Sequence, residues 1–382
     1  MRRHIRTLLE GLALVLLGVL LFRFPEDSAA AAREGVTLCL DLIVPSLFPF
    51  FVLSSLLIAT GLAGACARPL EKLMGPLFCV GGAGAAALGL GLIGGYPVGA
   101  RTIAQLTERQ ECTQEEARRL ARFCNNCGPA FFIGAAGVGV FGSKEAGFLL
   151  LGANLAAALL VGAGTRACEG NLLPRQGREP PPVSFSSLAD QLPKCVTDGF
   201  SATLGVCAYV ILFSVLTALS EASGLLPLGA QALAALLPGE GGQELCRSFL
   251  IGFLEISTGT ASLADAPSPS LALPLAAFLL GWGGLSVHCQ SLPFLRAAGV
   301  STGPYLRAKF LQGMLSAGLT ALALLAFPLA LPAMAPTLPL VCPIPFARQM
   351  VLLWALAGAG FFLSRQKKLE KAGHSRYNEK EP

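Results

Sequence analysis

The stretch Arg122-Phe123-Cys124-Asn125-Asn126-Cys127-Gly128-Pro129-Ala130-Phe131-Phe132-Ile133-Gly134, running on through glycines to Gly142, decides the fold. Two adjacent amides and a Gly-Pro break stand at the mouth of an apolar run of about 15 residues, roughly 22 Å if helical. Crossing a bilayer takes about 20 residues. The run is therefore too short to span, and a half-crossing that enters and leaves on one side fits its length.

Around this stretch the chain is apolar. Of its 382 residues 53% are hydrophobic and only 13% charged, whereas soluble domains carry about a quarter charged residues. Runs able to span, some marginally, lie at Leu8 to Phe22, Val36 to Gly61, Pro76 to Gly94, Gly147 to Thr165, Cys195 to Leu219, Tyr305 to Leu331 (charged in its first turn) and Gln349 to Ser364. The expected class is all-α: a polytopic membrane protein in the lipid bilayer, with broken or re-entrant helices. Three arginines at the N-terminus, and Arg365, Lys367, Lys368, Lys371, Arg376 and Lys380 in the tail, put both termini on the cytoplasmic side. The first run also fits a cleaved signal peptide, with Ser28-Ala29-Ala30 as its exit; a retained helix is the reading adopted. A net charge of +5 spread over loops and tail speaks to topology and gives no basic face for nucleic acid.

The 12 cysteines are scattered, mostly in apolar runs, and imply no disulfide framework. Cys124-Asn125-Asn126-Cys127 has metal or redox spacing, but no second pair or nearby histidine completes a tetrahedral site. No metal or cofactor is expected. No Ser-His-Asp order, Walker-type loop or H-E-x-x-H pattern is present either, so an enzymatic reading has nothing to stand on.

From Thr113 to Phe123 the pattern is an amphipathic surface helix at the membrane interface. Thr113 and Glu116 form a capping box, and Ala117, Leu120, Ala121 and Cys124 share one face with Glu115, Arg118, Arg119 and Arg122 on the other. Before it, Gly94-Gly95-Tyr96-Pro97-Val98-Gly99-Ala100-Arg101 packs two glycines and a proline into four residues, which interrupts a helix. In the second half, Glu255-Ile256-Ser257-Thr258-Gly259-Thr260 and Gly283-Gly284-Leu285-Ser286-Val287-His288-Cys289-Gln290 interrupt two further apolar runs.

These breaks recur in register. Placing Gly152 on Gly313, an offset of 161, lays Gly95-Tyr96 on Ile256-Ser257 and Asn126-Cys127 on Val287-His288. The expected organisation is an N-terminal helix and connector (1–35), a first repeat (36–165), a polar linker (166–194), a second repeat (195–331) and a last helix with a basic tail (332–382). The two repeats are pseudo-symmetric and inverted, and matched broken segments in two halves point to a transporter's substrate site. Broken ends expose unpaired N–H and C=O groups, tolerated in a membrane only in a protein-lined or wet interior. Their N-terminal ends suit an anion.

The candidate binding residues are thus Gly95, Tyr96, Arg101, Asn125, Asn126, Ser257, Thr258, His288 and Gln290, with Asn125 and Asn126 facing His288 and Gln290 across a planar polar ligand. Glu255 is a coupling or structural carboxylate. Plainer readings stand beside these: the asparagines cap the following helix, His288 packs, Glu255 pairs with Arg101 or Arg101 snorkels, and Tyr96 and Tyr305 are interface aromatics.

At Gly94-Gly95-Tyr96-Pro97-Val98-Gly99-Ala100, Phe123-Cys124-Asn125-Asn126, Pro129-Ala130-Phe131-Phe132-Ile133-Gly134 and Gly283 to Gln290 the chain resembles the YlbJ-like sporulation integral membrane proteins, which belong with the nucleoside-recognition Gate proteins. It departs from that pattern at Cys127-Gly128, where small hydroxyl residues are expected. The resemblance covers roughly Val36 to Leu331. It implies a small-molecule anion as ligand, dipicolinate moved into the forespore across its outer membrane, and other sporulation membrane proteins as partners. The rivals are a cation-coupled nucleoside carrier and a non-transporting scaffold. Fusions at the C-terminus check the topology: a green fluorescent protein fluoresces there and a phosphatase stays silent, the reverse if the tail is external.

Overall fold

The computed structural model describes residues 2–62, 74–129, 131–169, 187–235, 242–266 and 269–326. Outside them lie the expected last span at Gln349 to Ser364, the basic tail, the loop carrying Arg68 and Lys72, and most of the 166–194 linker. Among the described residues the chain is helical and has no strand.

Helix α1 (Arg2–Arg23) meets α2 (Pro25–Leu38) at a bend of 97°. Pro25 at the first helical position, acids Glu26 and Asp27 in the first turn and the alanines behind them make the expected connector a helix. A π-helical turn at Cys39–Ile43 joins it to α3 (Val44–Ala59). Asp41, read as needing a neighbour inside the span, is exposed on this turn.

Then come α4 (Gly84–Gly94), α5 (Val98–Glu108) and α6 (Gln114–Ala121), followed by an irregular segment through Asn125 and Asn126 and a π-helical stretch at Phe131–Val140. That stretch turns at Phe141-Gly142-Ser143 and folds back on α7 (Lys144–Glu169), so closely that a Cβ on Gly137 would stand 2.6 Å from the Gly147 Cα. The short apolar run is thus one arm of a helical hairpin.

The remaining helices are α8 (Leu188–Ala222), α9 (Leu225–Ala234), α10 (Gly242–Leu254), α11 (Ile256–Ala261), α12 (Pro269–Trp282), α13 (Gly284–Ala297) and α14 (Thr302–Ala326). Helix α8 packs along α2 and α3, while α14 packs on α12 and α7. Among the described residues four segments are long and apolar enough to cross a membrane: α7, α8, the α12–α13 pair and α14; the bent α1–α2 pair makes a fifth if it is one span. Apolar side chains on α1 stand far out, Leu8 at 72% and Phe22 at 91% exposure. A lipid environment leaves such a face uncovered at no cost.

Helix α6 forms as its amphipathic pattern demands. The capping box closes, and Ala117, Leu120, Ala121 and Cys124 are fully buried. Arg119 is the exception: expected on the outer face, it is buried at 2% exposure and donates to the Cys79 carbonyl. Glu116 also accepts from Gly81 N at 2.6 Å, tying the cap to the preceding segment.

Two tight crossings hold the broken segments. In the first half, a Cβ on Gly99 would lie 2.2 Å from the Cys124 carbonyl oxygen, so only glycine lets α5 meet the asparagine segment. In the second, a Cβ on Gly259 would lie 2.0 Å from the Gly252 Cα, where α11 doubles back on α10. Gly99→Val is expected to cost about 3 kcal/mol or more, because backbone cannot yield as a side-chain tip can. Gly152→Val, with open space around it, should leave the size-exclusion profile and melting temperature unchanged; equal profiles for both variants would refute the crossing.

Candidate functional site

Buried polar residues from the Asn125 segment, α7, α13 and α14 meet beside the Asn125 break. Asn125 and Asn126 are both fully buried. The Asn125 side chain accepts from Ala100 N at 3.4 Å, an orphan amide in the first turn of α5, whose own N-cap Pro97 supplies no side-chain acceptor. Its amide nitrogen donates to Ser291 Oγ at 2.9 Å and to the Tyr305 hydroxyl at 3.0 Å. The asparagine does cap a helix, but an earlier one, and it reaches α13 and α14 at the same time.

The centre of the cluster is Lys309, on α14 and fully buried. Its ammonium donates to the Asn125 carbonyl at 2.7 Å, Gln312 Oε1 at 2.7 Å and Asn126 Oδ1 at 3.4 Å, and stands 5.2 Å over the Tyr96 ring. All three protons are spent on neutral acceptors. Among the described residues no carboxylate lies within ion-pair reach of it. Gln312 in turn donates to Asn126 Oδ1 at 2.7 Å and to Asn154 Oδ1 of α7 at 3.0 Å, while Asn126 donates to the Phe123 carbonyl at 2.7 Å.

His288 joins through Tyr305, its Nδ1 3.2 Å from the hydroxyl. Its Nε2 is buried with no partner, and the ring stands edge-on to Trp282 at 4.3 Å. Glycine alone makes this bend: Gly283 and Gly284 take φ of +94° and +78°, in the left-handed region. Tyr96 packs against Gly283 and donates to the Gly281 carbonyl at 3.3 Å, so the first break leans on the fourth.

The sequence-predicted residues divide accordingly. Tyr96, Asn125, Asn126 and His288 come together, and Gly95 backs onto Gly128, where a Cβ would stand 2.8 Å from the Gly128 nitrogen. Tyr305, read as an interface aromatic, is buried at 1% exposure in the centre. Gln290 lies apart and donates to Ser286 on its own helix; Ser291 is the α13 residue that reaches Asn125. Arg101 turns to α3, its guanidinium 5.5 Å over the Phe51 ring and Nη1 without a partner. Glu255 caps α11, accepting from Ser257 N at 3.1 Å and from Thr258 N and Oγ1 at 2.8 and 2.9 Å. Ser257 and Thr258 therefore spend those donors on the carboxylate.

Lys309, Gln312 and Asn154 were missed. The signal was present, because Lys309, Gln312, Ser316 and Thr320 recur at helical spacing in an apolar helix. In the sequence the first turn of that run was noted only as charged, and its residues were assigned no role.

A set of apolar helices long enough to cross a bilayer, closed around a buried polar centre, defines a multi-pass integral membrane protein. Residues 42–144 match the Gate family model, described as nucleoside recognition. The chain is 30% identical over 338 residues to the sporulation integral membrane protein YlbJ of Bacillus subtilis (strain 168), covering 82% of this chain and 81% of that protein. It belongs to the YlbJ family of sporulation integral membrane proteins. No solved structure matches it. The Gate match ends at the start of α7, so His288, Tyr305, Lys309 and Gln312 come from beyond it.

The cluster predicts coupled energetics. Gln312→Leu takes one of the lysine's three acceptors, leaves Asn126 Oδ1 with only the 3.4 Å bond from Lys309 and removes the Gln312 donor from Asn154 Oδ1, and should cost about 3 kcal/mol. The double variant Lys309→Met with Gln312→Leu should lose at least about 1 kcal/mol less than the sum of the singles. Denaturation in detergent measures this, and strict additivity would show that the two side chains do not depend on each other.

Proposed function

We propose that this protein carries a small planar organic anion through the membrane, namely dipicolinate into the forespore during sporulation. One observation carries the reading: a fully buried lysine whose hydrogen-bond partners are all neutral. A buried cation without a counter-charge is costly, and a carboxylate ligand supplies the missing charge. The longest of its three bonds, 3.4 Å to Asn126 Oδ1, is the one a carboxylate oxygen replaces at least cost. His288 Nε2, unpartnered beside Trp282, offers a further contact to a flat ring. The ligand set of this proposal is Tyr96, Asn125, Asn126, His288 and Lys309, with Gly95 allowing the close approach. Gln290, Arg101, Ser257, Thr258 and Glu255 belong to the surrounding frame.

The two halves act as related, inverted units in this reading. The offset of 161 that aligns the breaks also lays Gly91 on Gly252, and both glycines sit in the tight crossings: a Cβ on Gly91 would strike the Cys124 carbonyl, as one on Gly259 would strike Gly252. The Gate match favours a second reading, a cation-coupled nucleoside carrier in which Glu255 takes the cation.

Liposome flux separates them. With dipicolinate outside, the wild-type protein loads the vesicles, and Lys309→Gln and Asn126→Ala lose uptake; removing about 2 kcal/mol of binding weakens affinity roughly 30-fold. Uridine uptake that depends on Glu255 would replace this reading with the nucleoside one. A well-folded protein that moves neither solute would leave the scaffold.

A further inference from the structure

Helix α14 continues its polar face past the lysine. Ser316 and Thr320 follow Lys309 and Gln312 at spacings of seven and four, and then four again, so all four lie on one side of the helix. All four are fully buried. The stripe runs about 16 Å along the axis at 1.5 Å per residue.

What marks the far end of this stripe is two unheld hydroxyls in line with the lysine and its amide. A serine or threonine inside an apolar helix normally donates to a carbonyl one turn back. Thr102, Thr107, Thr197, Thr203, Ser220 and Thr260 all do so here, each to the residue four before it. Ser316 and Thr320 do not: both hydroxyls are buried and neither has a hydrogen-bond partner, a state that Ser55 and Thr217 share singly on their helices but that here occurs twice on one face, in line with Lys309 and Gln312. Burying a polar group without a partner is unfavourable unless something else satisfies it. Helix α14 packs along α12 and α7, and its stripe includes the amide of Gln312 that reaches Asn154 of α7.

We propose that this face of α14 is the permeation lane of the Lys309 site: Ser316 and Thr320 line a path that takes water and the carboxylate groups of the anion between the central lysine and the membrane face at the Ala326 end of the helix. The proposal rests on the reading of the lysine cluster as an anion site, and it adds the path, its polarity and its end. The two hydroxyls hand the carboxylate from one donor to the next over the part of the path between the lysine and Thr320. The opposite side of the same helix, with Met314 at 53% and Leu322 at 64% exposure, faces lipid.

Thiol labelling in sealed proteoliposomes tests this on the full-length protein. Ser316→Cys, Thr320→Cys and, as the lipid-facing control, Leu322→Cys are treated with a membrane-impermeant, water-soluble methanethiosulfonate, either added outside or trapped inside. The expected result is that Ser316→Cys and Thr320→Cys react at least tenfold faster than the parent protein from the Ala326 face, that Leu322→Cys does not, and that modification at 316 stops dipicolinate uptake. If neither position reacts above the parent background while the variants elute as folded protein, the lane is dry packing and the proposal fails. Reaction at both positions with uptake undiminished overturns the path as well. If the unmodified parent carries no dipicolinate, the proposed function falls, while labelling still decides whether the lane is wet.

Discussion

The ammonium of Lys309 fixes the centre of this protein. A cation inside a membrane protein must be surrounded by oxygen or lose its charge. The chain surrounds it with a backbone carbonyl from the Asn125 break, an amide from Asn126 and an amide from its own helix at Gln312. Each of these acceptors is itself held. Asn125 is anchored by α5, Ser291 and Tyr305, and Asn126 by Gln312 and the Phe123 carbonyl. The irregular segment between α6 and the π-helical stretch therefore owes its course to a charge almost two hundred residues later in the chain.

The broken helices follow from the same constraint. An unbroken helix spends its carbonyls internally and has none to offer a buried ammonium. Only where the helix stops, at Phe123 to Pro129, is a carbonyl such as that of Asn125 free for Lys309. The breaks in turn need each other: Gly95 lies on Gly128, and Gly284 lies against the backbone of Leu254 and Ile256. Tyr96 bridges the two pairs, its ring under the lysine and against Gly283, its hydroxyl on the Gly281 carbonyl. Non-helical backbone at this depth is thus covered by other non-helical backbone, the arrangement a bilayer permits.

The division of labour among charged residues is equally physical. Glu255 is spent on the first amides of α11, a helix of six residues too short to persist without its cap. Arg101 lies over Phe51 on the side of α5 turned to α3, away from the lysine. The cluster keeps one cation and no anion of its own among the described residues, the electrostatic basis for an anionic ligand.

By itself the sequence determined the class and the places where helices stop. Low charge and long apolar runs required a membrane, and glycine–proline clusters required breaks, because these depend on local chemistry that no distant residue can reverse. The capping box at Thr113 and Glu116 was legible for the same reason, and so was the burial of Ala117, Leu120 and Ala121. Which polar residues meet was not local. Asn125 finds Tyr305 and Ser291, Lys309 finds Asn126, and Gln290, two residues from His288, turns away to its own helix, since two positions along a helix point to different sides. Arg119 looked like a surface charge, and Lys309 drew no reading as a site residue, because a sequence shows a charge's neighbours along the chain but not the carbonyls folded around it. Only the packing of α14 against α7 and the Asn125 segment decided that a lysine near the end of a span would be its centre.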